Sequence, residues 1–143
     1  MIQKVDPPSG KRLDSWVGRH FDLHCTALGK ALLAYLSDEE VERLFEQNDL
    51  SSHNPNTICS LSKLKAHLAV IRARGYAVDD QEHELGVRCV AAPILSEHGR
   101  ALAAVTVFSP VNQFPSWQIP QCGLKVVSAA REISRSLLLP RQT

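Results

Sequence analysis

The 143-residue sequence has no apolar run of membrane length and no apolar leader, which argues against a spanning or secreted chain and for a cytoplasmic one. It has no excess of either charge. Sixteen Lys and Arg stand against fifteen Asp and Glu, so the broad basic surface of a nucleic-acid-binding domain is missing. Internal repeats and low-complexity tracts are also missing. None of the four cysteines, Cys25, Cys59, Cys89 and Cys122, forms a C-x-x-C pair, which disfavours a disulfide framework or a zinc knuckle. In a reducing compartment each reads first as a small buried hydrophobe.

What is present is a globular composition. With 44% apolar and 22% charged residues, one domain of this length can bury about two-thirds of its unfolded surface in a single core. Met1 to Asp6 reads as a short strand ended by Pro7-Pro8-Ser9-Gly10. Leu28, Ala31, Leu32 and Tyr35 then follow the i, i+3, i+4, i+7 spacing of a buried helical stripe, with Thr26 as N-cap. Ser37 and Glu40 have capping-box spacing before Val41, Leu44 and Phe45. A polar loop from Asn48 to Thr57 precedes a third helix with Leu61, Leu64, Leu68 and Ile71 inward and Gly75 at its end. Lys63, Lys65, Arg72 and Arg74 of that helix read as a solvated face.

Three strands follow, Tyr76 to Asp80, Val87 to Leu95 and Ala101 to Ser109, the last two joined by the turn Ser96-Glu97-His98-Gly99. After a breaker-rich loop from Pro110 to Pro120, residues 121 to 138 close the chain as an amphipathic helix. Consecutive strands with short connections imply an antiparallel sheet with helices on one side, an α+β arrangement.

The stretch "YAVDDQEHELGVRCVAAPI" gathers Asp79, Asp80, Glu82, His83, Glu84 and Cys89 at the entrance to a strand. Register decides which of them share a face. A symmetric turn at Ser96 to Gly99 sets Cys89 opposite Thr106, Ala91 opposite Ala104 and Val87 opposite Phe108. A symmetric loop at Gln81 to Leu85 sets Asp79 opposite Val87. Asp79, Cys89, Thr106 and Phe108 then line one mostly apolar surface carrying a carboxylate, a thiol and a hydroxyl, the composition of a small-molecule pocket. Asp80, Glu82 and Glu84 read as solvated loop charges.

The segments "LHCTALGKALLAYLSDEEVERL", "LKAHLAVIRARGYAVDDQEHELGVRCVAAPILSEHG" and "ALAAVTVFSP", in this order over nearly the whole chain, resemble the C-terminal effector-binding domain of the IclR family of bacterial transcription regulators. The resemblance implies a GAF-like antiparallel sheet flanked by helices, binding a small organic acid. It implies that the backbone amides of Ala27 and Leu28 hold the acid's carboxylate, and that Asp79, Cys89, Thr106 and Phe108 line the pocket. Phe108 stands where members that take small keto-acids tend to carry serine, which points to a larger or aromatic acid. The resemblance also implies a homodimer or homotetramer, and DNA binding through a winged helix-turn-helix for which this chain has no candidate. Residues 1–143 would then be an effector domain without its opening helix and strand.

Two other readings compete. His24, His83 and Cys89, with Cys25 and Asp79 nearby, are all zinc-ligand types, although their spacing matches no finger pattern. A cysteine enzyme with Cys89 as nucleophile and His83 as base is disfavoured, because the neighbouring carboxylates oppose thiolate formation and no third group orients the histidine.

Overall fold

The structure, a computed structural model, describes residues 1–6, 8, 16–47 and 49–138. Helices α1 (Ala27–Leu33), α2 (Asp38–Phe45) and α3 (Leu61–Arg74) precede strands β1 (Ala77–Asp80), β2 (Val87–Leu95) and β3 (Ala101–Pro110). A 3-10 turn at Ser116–Gln118 leads into α4 (Ile119–Leu138). The expected strand at Met1 to Asp6 does not form. Those residues are irregular, tied back when Gly18 N donates to the Met1 carbonyl and the N-terminal amine to that of Arg19. Most of the Pro7 to Gly10 stretch lies outside the described residues, as does Asn48.

The local signals act where the sequence places them. Thr26 Oγ1 caps α1 by accepting from Gly29 N, and Ser37 and Glu40 close a reciprocal capping box on α2. Gly75 ends α3 in the left-handed region at φ 85°, which a residue with a Cβ adopts only under strain. The basic residues of α3 form the expected solvent-facing side, with Lys63, Arg72 and Arg74 exposed, and three of the four also make contacts. Lys65 bonds Asp38 and Glu42 on α2, Arg72 donates to the Ala34 carbonyl, and Arg74 donates to the Tyr76 carbonyl while lying over its ring.

The sheet is antiparallel in the order β1-β2-β3, and it has helices on both faces rather than on one. Ala77 and Ala91, with Cys89 and Ala104 at the margin, pack against α1 and α3. Val90, Ala92 and Ile94 pack against Val126 and Ala130 of α4. Two-sided burial is the reason β2 reads as the nearly unbroken apolar run "VRCVAAPIL" instead of alternating.

The pairing differs from the symmetric construction. Cys89 faces Phe108, not Thr106; Ala91 faces Thr106, not Ala104; Val87 faces Pro110, not Phe108; and Asp79 faces Cys89, not Val87. The β2–β3 hairpin loop takes in Arg100, with Ser96 N donating to its carbonyl, and a bulge between Ile94 and Leu95 sets Leu102 aside. Each adds one residue. Together they move that register by two, and an even slip leaves every side chain on its expected face. The β1–β2 connection also slips evenly, since pairing there starts with Asp80 opposite Arg88 rather than Gly86.

Candidate functional site

Across the sheet Asp79, Cys89 and Phe108 form one row, with Ala77, Ala91 and Thr106 as the next row on the same face. Helix α1 lies over this face. Gly29 lets the segment before α1 fold back against the helix: a Cβ there would stand 2.3 Å from the Leu23 carbonyl oxygen and 2.4 Å from its Cα. Thr26 fixes the approach, its hydroxyl donating to the Asp22 carbonyl at 2.7 Å while accepting from Gly29 N at 3.1 Å. The first-turn amides of Ala27 and Leu28 are among those a helix leaves without an internal partner.

Asp79 is buried, and its Oδ1 accepts from the backbone N–H of Glu82 at 2.7 Å and of His83 at 3.3 Å. It therefore shapes the β1–β2 loop in addition to facing Cys89. Burial pushes its carboxyl up to about 6, against the pull of those two N–H donors and of Lys30. Burial, followed by the charge of Asp79, holds the Cys89 thiol far above its ordinary value. A neutral buried thiol packs well and attacks poorly. The Thr106 hydroxyl donates to the Val90 carbonyl at 3.1 Å, and Phe108 is half-buried at the β3 edge of the sheet.

Of the three acidic residues read as solvated charges, Asp80 and Glu84 are exposed and Glu82 is not. Glu82 is buried, not solvated, and bonds the ammonium of Lys30, which is fully buried inside α1. The other oxygen of Glu82, Oε2, is buried without a hydrogen-bond partner, and burial raises the carboxyl's pKa. A sequence signal for the pair existed: Lys30 occupies the stripe Ala27, Lys30, Ala31, Ala34, whose other members are core alanines. Asp80 is ion-paired with Arg88 at 2.8 Å, and Arg88 also bonds the Phe114 carbonyl.

The set His24, His83 and Cys89 does not converge into a metal-binding group among the described residues. His24 Nε2 lies 2.9 Å from the Ser51 carbonyl oxygen, and the cysteine beside His83 is Cys25, its Sγ 3.6 Å from Nδ1. Cys25 and His83 instead share a cluster with Asp22 and His53. A separate open cavity of about 300 Å³ lies between the C-terminal part of β3 and α4, where Val107, Phe108, Phe114, Gln118, Cys122 and Lys125 meet. It holds none of the carboxylates of the sheet row.

The family described as "Bacterial transcriptional regulator IclR C-terminal" matches residues 1–135. The transcriptional repressor IclR of Escherichia coli K12 is 37% identical over 134 residues, covering 94% of this chain and 49% of the relative. The chain thus spans about half the length of the curated relatives it matches. The crystal structure of Thermotoga maritima IclR superposes with a TM-score of 0.86 at 34% identity, covering 93% of this chain and 54% of that one. The inducer-binding domain of a PobR double mutant from Acinetobacter, in complex with 3-hydroxybenzoic acid, superposes with a TM-score of 0.79 at 29% identity, covering 90% and 75%.

Proposed function

The chain belongs to the IclR family through the C-terminal domain of those regulators, and from that premise we propose that it senses a small organic acid on the α1 face of its sheet. The observation that carries this reading is the row Asp79, Cys89, Phe108 running toward the half-buried edge of β3 beneath the start of α1. A helix N-terminus offers unpaired N–H groups and positive partial charge. The amides of Ala27 and Leu28 would take the carboxylate of the acid, Asp79 a ligand hydroxyl, and Cys89, Thr106 and Phe108 the apolar body. The ring of Phe108 fills volume that a serine would leave open and favours an aromatic or otherwise apolar acid. PobR's complex with 3-hydroxybenzoic acid supplies a hydroxylated aromatic acid on a domain of the same fold.

The role is regulatory, as in the relatives, and burial of the Cys89 thiol, which raises its pKa, makes it a poor nucleophile for the competing cysteine-enzyme reading. DNA contact belongs to a separate winged helix-turn-helix, and the domain assembles as a homodimer or homotetramer in the cytoplasm. No helix among the described residues is long and apolar enough to cross a membrane.

Thermal shift and calorimetry test the reading. A hydroxybenzoate should raise the melting temperature of the chain more than pyruvate or glyoxylate does, because a ligand that binds the native state stabilises it by mass action. Phe108→Ser should reverse that preference by roughly tenfold or more, the scale of apolar pocket discrimination. Equal affinities before and after substitution would make Phe108 ordinary packing, and no shift with any carboxylate would remove the acid site.

A further inference from the structure

The cluster beside the sheet row carries chemistry that an acid sensor does not require. One carboxylate oxygen of Asp22, Sγ of Cys25 and one ring nitrogen each of His53 and His83 all lie within 4.8 Å of one another. We propose that these four residues form a binding site for a divalent transition metal of the zinc class, fastening three separate segments of the chain at the start of α1.

The donor set selects the metal. One thiolate, two imidazoles and one carboxylate make a borderline N/S set suited to zinc, and a poor one for calcium or magnesium, which take oxygen ligands. The spacing fits as well. Zinc–sulfur and zinc–nitrogen bonds of about 2.3 and 2.0–2.1 Å at a tetrahedral angle set the two donors about 3.6 Å apart, and Cys25 Sγ stands 3.6 Å from His83 Nδ1. Asp22 Oδ2 and His53 Nε2 are hydrogen-bonded at 2.7 Å. A metal between them replaces the shared proton and opens that edge by roughly half an ångström. Without metal, burial and then the charge of Asp22 push the Cys25 thiol up to about 12. Metal entry therefore deprotonates Cys25, the thiol proton leaves to solvent, and both histidines bind as neutral imidazoles.

The backbone around each ligand is fixed independently of any metal. Thr26 Oγ1 holds the Asp22 carbonyl and so the turn that brings Asp22 beside Cys25. His53 N donates to Thr57 Oγ1 at 3.1 Å, and that hydroxyl donates to the Glu82 carbonyl at 2.7 Å, so the two histidine-bearing loops are joined. His83 N is held by Asp79. Such outer contacts orient ligands before the metal arrives. Cys25 is buried whereas Asp22 and His53 are exposed, which gives a closed interior side and an open side for entry. Through His83 and Asp79 the site adjoins the sheet row, yet it stands whether or not an acid binds there.

The test uses the chelator-stripped full chain and the metals alone. Titration with zinc should saturate at one equivalent per chain, and cobalt(II) should give tetrahedral d–d bands and a thiolate-to-cobalt charge-transfer band. Cys25→Ser should abolish the charge-transfer band, whereas Cys59→Ser and Cys89→Ser should keep it. His53→Gln, at an exposed position that leaves the core untouched, should weaken zinc by roughly tenfold or more. Absence of saturable zinc binding overturns the proposal, as does a band lost in Cys89→Ser or Cys59→Ser. If Cys25→Ser does not fold by circular dichroism, His53→Gln decides, and unchanged zinc affinity there overturns the proposal equally.

Discussion

Replacing Lys30 with methionine removes the cation of a buried pair and leaves the rest of α1 in place. Lys30 is 0% exposed and Glu82 is 7% exposed, so Lys30→Met strands a carboxylate that already has one unpartnered oxygen. Breaking a buried pair from one side costs about 3–5 kcal/mol. For a domain of this size that corresponds to a fall in melting temperature of roughly 10 to 20 °C.

The pH dependence identifies the mechanism. With Lys30 gone, the Glu82 carboxyl, already raised by burial, titrates higher still in the folded state than in the unfolded one. The folded variant therefore holds a proton that the unfolded chain releases, and its stability falls as pH rises through that window. Asp79 and Cys89 also lose the Lys30 charge that lowers their pKa values, and the Asp79 contribution has the same sign. The deficit should be small near pH ~4.5 and full near pH ~7.5. Glu82→Gln strands the ammonium instead, so its deficit should grow as pH falls. Combining Lys30→Met with Glu82→Met should recover most of the loss, because an apolar pair of similar volume replaces the buried charges at about neutral net effect. Urea unfolding of the four proteins at the two pH values measures all of this. A Lys30→Met cost below about 1 kcal/mol, the range of exposed ion pairs, with a pH slope equal to that of the parent, would refute the reasoning.

Asp79→Asn keeps an oxygen that can accept from Glu82 N and His83 N but removes the titration. The parent carboxyl rises from 3.8 to about 6 on folding, so the parent should lose up to about 3 kcal/mol as pH rises from about 4 to about 7. Urea midpoints should fall less across that range in the variant than in the parent; parallel curves for the two proteins would contradict the assignment. Gly29→Ala pushes a Cβ into the Leu23 backbone and should cost about 3 kcal/mol or more, because neither helix nor segment can yield as a side chain would; thermal denaturation reads it directly. Ser37→Ala removes the cap of α2 and should cost about 1 kcal/mol by urea unfolding, with no change in ligand or metal titrations.

Most of the fold is legible along the chain because its signals are local. Thr26 and Ser37 start helices with side-chain oxygens, and Gly75 stops one, through contacts spanning a few residues; Ser60, which the reading of the sequence did not pick out, caps α3 in the same way. Periodicity marks Leu64 and Leu68, with Ile71, as the inner face of α3, and they are buried. Met1 to Asp6 fails as a strand because a strand needs a partner edge, and a six-residue pattern carries no information about one. The shared face of the candidate row survives for a reason that could have gone the other way. Two departures of one residue, at Arg100 and at Leu102, restore the parity that either alone would have inverted.

Helix starts and stops, the strand segments and the motifs that mark the family depend on near neighbours, and reading along the chain recovers them, whereas the common face of Asp79, Cys89, Thr106 and Phe108 rests on strand register. Which distant groups meet is a matter of packing. Lys30 and Glu82 are 52 positions apart, and Cys25 and His83 are 58 apart. No periodicity reaches that far, because the pairing is set by how the alanines of α1 settle against Ala77 and Ala91 of the sheet and by where the β1–β2 loop folds back through Asp79. That geometry makes Glu82 a buried partner instead of a solvated charge, and puts Cys25, not Cys89, beside His83.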